Sequence, residues 1–97
     1  MIIVIGTFQV EPDHREEFVA NRVQLMNHSR AENGCITYSF TADRIDPRAV
    51  VLTERWTDRA AFEAHIAGLK SAPQPAPAPA HLTREIFVYQ ADEGKPL

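Results

Sequence analysis

Residues 2–10, IIVIGTFQV, are almost entirely apolar and rich in β-branched side chains, with Gly6 inside the run. Such a run predicts a strand, and a glycine within it marks a bulge or a close backbone approach. Pro12 stops it, because proline has no N–H to give to a ladder. Asp13 then fits a helix cap, with Glu16 three residues on as in a capping box. Phe18, Val19, Arg22, Val23, Leu25 and Met26 follow at helical spacing, with Glu16, Glu17, Asn21 and Gln24 mostly on the other side. The pattern predicts one helix over 13–31, with Gly34 as its C-terminal stop. CITYSFTA (35–42) alternates: Ile36, Tyr38 and Phe40 face one way, Thr37, Ser39 and Thr41 the other. That is a half-buried strand.

An Asp46–Pro47 turn signal leads into AVVLTERW (49–56), with Val50, Leu52, Glu54 and Trp56 on one side. The two strands make a hairpin. Thr57 or Asp58 caps a second helix, whose apolar face carries Ala61, Phe62, His65, Ile66 and Leu69. Residues 72–80, APQPAPAPA, have proline at every second position and predict a stiff polyproline II connector. It spans roughly 28 Å at ~3.1 Å per residue. LTREIFVYQ (82–90) is a last strand, and 91–97 a polar tail.

The order β-α-β-β-α-β predicts a ferredoxin-like α+β fold, with one four-stranded antiparallel sheet and both helices on one face. The other face has no cover within the chain. Strand one offers Ile2 and Val4 to one side and Ile3 and Ile5 to the other; the last strand offers Ile86 and Val88 against Phe87 and Tyr89. Both faces are partly apolar, so a homodimer through the sheet is expected.

Composition narrows the function classes. With 97 residues, 44% hydrophobic and 24% charged, residues 1–97 are expected to share one core. The net charge is -3 and the ten Lys and Arg are scattered among acids, so no nucleic-acid partner is expected. No segment approaches the ~20 apolar residues of a membrane helix. MIIVIG lacks the basic flank of a signal peptide, and Cys35 stands alone. A cytoplasmic location and no membrane partner are expected. No metal-ligand spacing, P-loop or dinucleotide motif is present, so neither a metal nor a tightly held cofactor is expected.

ENGCITYSF (32–40) followed by ERWTDRAAFEAH (54–65) resembles the antibiotic biosynthesis monooxygenase domain family. The matching residues are Glu32, Gly34, Cys35 and Tyr38, then Glu54 and Trp56, then Ala61, Phe62 and His65. The resemblance covers residues 2–70 and implies a dimeric α+β barrel with a pocket between sheet and helices in each subunit. Two features depart from it. SAPQPAPAPAH stands where many relatives carry a small extra helix. Strand one has Gly6, Thr7 and Gln9 but no Asn, which the haem-degrading branch pairs with Trp and His.

The candidate site follows. His65 is the candidate catalytic base, since a neutral imidazole can accept a phenol's proton. Its plain alternative is a histidine half-buried on an amphipathic helix. Trp56 is a candidate wall for an aromatic substrate, and Tyr38, Phe40 and Phe62 are candidate lining residues; core packing is the plainer reading of each. Glu54 has three readings: orienting an imidazole, binding an arginine such as Arg84, or sitting in solvent. The functional expectation is a cofactor-independent monooxygenase that uses O2 on an electron-rich aromatic or quinol. The alternatives are a non-catalytic dimeric small-molecule binding or stress-response module, and a haem-binding or haem-degrading protein with His65 as axial ligand.

Overall fold

A computed structural model describes residues 1–97. Strands β1 (Ile2–Gln9), β2 (Cys35–Ala42), β3 (Ala49–Trp56) and β4 (Thr83–Gln90) form one sheet in the order β2-β3-β1-β4. Every neighbouring pair is antiparallel. Helices α1 (Pro12–Ala20), α2 (Val23–Arg30) and α3 (Arg59–Gly68) supply the second layer. The predicted ferredoxin-like order is thus present, in a slab of 37 × 35 × 18 Å.

The alternation in β1 and β3 decides which sheet face meets the helices. Ile2, Val4, Phe8, Val50, Leu52, Glu54 and Trp56 are all buried on that face. The register sets Trp56 beside Ile2, Glu54 beside Val4, Leu52 beside Gly6 and Val50 beside Phe8. Phe18 from α1 packs onto Phe8 and Phe40 with ring centroids 5.5 and 6.4 Å away. Fully burying a side chain of this kind stabilises the fold by about 1.5–3 kcal/mol. Trp56 and Phe18 therefore anchor the two ends of the core.

Four local expectations need correction. The helix expected over 13–31 is two helices, broken at Asn21 and Arg22. The Arg22 N–H donates to Val19 O, three residues back, at 3.0 Å. Its guanidinium Nη1 donates instead to Phe18 O at 3.0 Å, the carbonyl a continuous helix would have given to the Arg22 N–H. Asp13 is not the cap: the chain enters α1 at Glu11 with Pro12 in the first turn and no side-chain cap. Pro12 itself suits that position, because its missing N–H would have had no partner there. Ile36 does not share a face with Tyr38 and Phe40. A bulge between Cys35 and Thr37 shifts the register and leaves Ile36 exposed.

Gly34 is not a helix stop but a turn residue between α2 and β2, at φ 84. A Cβ there would lie 2.4 Å from Ala61 Cβ and 2.8 Å from Thr57 Oγ1. The glycine therefore lets α3 approach the start of β2. Asp58 caps α3, accepting the Ala61 N–H at 2.8 Å. Residues 72–80 contain neither helix nor strand. Gln74 Nε2 fixes the start of this strap by donating to Leu69 O and Ala72 O at 2.9 and 2.8 Å.

Candidate functional site

Between the sheet and α2–α3 lies a cavity of about 330 Å³, at the small end of ligand sites. Val4, Phe8, Leu52 and Phe40 belong to its sheet floor; Leu25, Phe62 and Ile66 come from the helices. Pro75 of the strap meets its rim, and Ile86 and Val88 of β4 close one side. This lining is mostly apolar, and its polar groups are few: Tyr38, Glu54, His65, Arg22 and Arg84.

The polar groups at one end form a chain. His65 leaves α3 toward the sheet and is 3% exposed. Its Nδ1 lies 2.6 Å from Glu32 Oε1, and its Nε2 lies 3.8 Å from Glu54 Oε1. Glu54 accepts the indole N–H of Trp56 at 2.9 Å. An ionised carboxylate can only accept, so with Glu32 ionised the Nδ1 carries the proton and Nε2 keeps a lone pair. The imidazole packs on Trp56 and Tyr38, with centroids 4.6 and 5.4 Å away. These contacts fix the ring plane as well as the hydrogen-bond direction.

His65 also separates two spaces. It lines the inner cavity, and it lines an outer recess together with Glu32, Asn33, Thr57 and Asp58. Burial pushes the Glu54 carboxyl above its ordinary range, and the Trp56 N–H and His65 pull it partly back. Burial likewise raises the Tyr38 hydroxyl, with the Glu54 charge adding to it, so Tyr38 is held protonated. A protonated phenol at the cavity wall is a hydrogen-bond donor.

Tyr38, Phe40, Glu54, Phe62 and His65 all reach the one cavity. Trp56 does not. It is 0% exposed, gives its indole N–H to Glu54 and packs against His65, so it adjoins the cavity through those two side chains. Of the three readings of Glu54, the imidazole is the neighbour found; the carboxylate accepts its hydrogen bond from Trp56, not from Arg84. Sequence reasoning gave Glu32 no role. Its signal was the spacing of ENGC before the strand that carries Tyr38, but the contact with His65 spans 33 positions. No group of three or more His, Cys, Asp or Glu side chains is arranged to hold a metal ion. No helix is long and apolar enough to cross a membrane.

Comparison with known proteins supports the resemblance. The family profile for antibiotic biosynthesis monooxygenase matches residues 1–68. The candidate monooxygenase YcnE of Bacillus subtilis is 35% identical over 65 residues, covering 67% of this chain and 68% of YcnE. An uncharacterised Synechocystis protein, sll1783, is 41% identical over 64 residues; the match covers 66% of this chain but only 44% of that longer relative. Among solved structures, a candidate antibiotic biosynthesis monooxygenase from Deinococcus radiodurans superposes with a TM-score of 0.75 at 23% identity, covering 100% of this chain and 98% of its own. SnoaB, a cofactor-independent oxygenase from Streptomyces nogalater, superposes at 0.66 with 18% identity, covering 99% of this chain and 97% of its own. At those identities the two structures show a shared fold. With the profile spanning more than half of the chain and YcnE matched over two thirds of its length, the chain belongs to the antibiotic biosynthesis monooxygenase family.

Proposed function

We propose that the protein is a cofactor-independent monooxygenase that oxidises an electron-rich aromatic or quinol with O2. The observation that carries this is the Glu32–His65–Glu54 chain opening on an apolar cavity. A phenol bound with its hydroxyl at that end gives its proton to His65 Nε2. The imidazolium so formed lies between two carboxylates, at 2.6 Å and 3.8 Å. In an apolar surround that charge pairing is stronger than in water. The phenolate left behind is the reductant: it passes one electron to O2, and the two radicals combine at a ring carbon. The stored proton returns to the peroxide, whose O–O bond then breaks. The ring carbon loses its own C–H proton as the O–O bond breaks, so one oxygen stays on that carbon as a carbonyl and the other leaves, with that proton and the stored one, as water.

The cavity has a size for small aromatics, and the chain shares its fold with SnoaB, an oxygenase that needs no cofactor. The haem alternative competes for the same atom: with Nδ1 engaged by Glu32, it is Nε2 that would have to face iron, and Glu54 Oε1 stands 3.8 Å from it. The proposed partner is a second copy of the chain, docked on the sheet face that the helices leave open.

Oxygen uptake with a panel of quinols and anthrones tests the reading. His65→Ala should lower the rate by about 10²–10⁴-fold, the usual worth of a positioned base. Equal rates would remove His65 from the mechanism. No uptake with any panel member, despite retention of an apolar aromatic, would mark a binding module instead.

A further inference from the structure

The far end of the cavity carries the opposite charge. Arg22 and Arg84 both line it, and neither is within ion-pair distance of any carboxylate. Arg22 lies on the aromatic cluster: its Cζ is 3.5 Å above the Phe18 ring and 5.5 Å from the Phe40 centroid. One of its five N–H groups donates to Phe18 O, and burial holds the guanidinium below its ordinary pKa. Arg22 sits at the helix break and lines the cavity, as does Pro75 of the strap. Arg84 stands next to Phe8 in the paired strand, on the same sheet face, and makes no side-chain hydrogen bond.

Glu54 pairs with Val4, whereas Arg84 pairs with Phe8, one strand further across and four residues along. The Cα positions are therefore about 16 Å apart, from strand spacings of ~4.8 Å and a rise of ~3.3 Å per residue. Less the inward reach of both side chains, the gap suits a fused-ring ligand lying lengthwise. Arg22 also lines a recess on its α1 side, together with His14 and Glu17.

We infer that the substrate is an anionic hydroxyarene: its hydroxyl meets Glu54 and His65, and a carboxylate or phosphate at its other end is held by Arg22 and Arg84. Two forked guanidinium groups match the oxygens of either anion, and a bidentate pair fixes the ring's direction as well as its presence. Half-burial of Arg22 on aromatic rings adds to the pairing, because fewer waters compete for its donors. This rests on the oxygenase reading for the role of the hydroxyl end, but its test does not need turnover.

Binding is measured by calorimetry without oxygen, with 2-naphthol, 6-hydroxy-2-naphthoate and naphthalene-2,6-diol monophosphate. At least one anion should bind tenfold or more tighter than 2-naphthol, about the worth of one charge-assisted hydrogen bond. Whichever anion wins names the source of the charge. Arg84→Gln, on an exposed strand residue, should cut that advantage to threefold or less and leave 2-naphthol unchanged. Arg22→Gln should do the same, with far-UV circular dichroism confirming that its helices remain. Affinities within threefold across the three ligands, failure of all three to bind at millimolar concentration, or an advantage that survives both substitutions would overturn the inference. The oxygenase reading fails separately, if the preferred anion binds yet consumes no O2.

Discussion

Glu54 is 5% exposed, and its only hydrogen bond is from the Trp56 indole. Burial raises its carboxyl above the ordinary 4.5, so the folded protein binds a proton more tightly there than the unfolded chain. The sign follows. Stability contributed by this group is greatest in acid and falls as pH rises from about 4.5 through the folded value, where the buried charge forms. Each unit of upward displacement costs about 1.4 kcal/mol at neutral pH. Glu54→Gln keeps an oxygen for the Trp56 N–H and removes the charge. It should raise stability at pH 7 and flatten the fall in urea titrations repeated between pH 4 and 8; an unchanged pH profile would show that Glu54 is not the group responsible. Trp56→Phe removes the one donor that lowers the carboxyl, so the Glu54 resonance should titrate higher still in carbonyl-carbon NMR. The pair was legible in the sequence as a shared strand face. Trp56's place beside the cavity was not, because alternation tells which face a residue takes and not how deep it lies.

Most elements were written in the hydrophobic pattern: β1, β3 and α3 fall within a residue or two of the expected spans. The misses have a common physical source, which is contact distant in sequence. The break after α1 depends on Arg22 replacing a backbone donor at Phe18 O, and the apolar stripe runs through it without a mark. The bulge at Ile36 is a property of pairing with β3, and an isolated alternating run gives no sign of it. Gly34 reads as a helix stop, yet its positive φ and the 2.4 Å approach of Ala61 show that it sets the seat of α3. Gly34→Ala should therefore cost about 2 kcal/mol or more, combining left-handed strain with a clash of the new Cβ against Ala61 Cβ and Thr57 Oγ1. In a chain this short that is a fall of about 10 °C or more in Tm by thermal circular dichroism. The same change should weaken the Glu32–His65 contact, since Glu32 and α3 meet across this turn. A Tm within 2 °C of wild type, read against the ~10 °C expected, would show that the turn gives way freely.

At the scale of the molecule, an 18 Å slab has room for one sheet and one layer of helices, and the far face of the sheet is left without cover. That face carries Ile3, Ile5 and Val51, with Phe87 and Tyr89 of β4 about half exposed and their rings 6.3 Å apart. β4 is exposed along its whole length, and it is an edge strand, which natural proteins rarely leave bare when apolar. A face of 37 × 35 Å is large enough for the roughly 800 Å² per partner that a stable pair buries. A two-fold pairing of these faces would also brace β4, whose other side forms the cavity wall through Arg84, Ile86 and Val88. Site and assembly would then be coupled, because loosening the pair would loosen the strand that carries Arg84. Sedimentation velocity should find a dimer at micromolar concentration, and Phe87→Asp, which puts a charge opposite Ile5 on the open face, should give a monomer. The monomer should keep its helical signal and bind aromatic ligands more weakly, because β4 is no longer braced. A wild-type monomer, or a Phe87→Asp protein that pairs as tightly as before, would place the partner elsewhere and leave the cavity to stand without it.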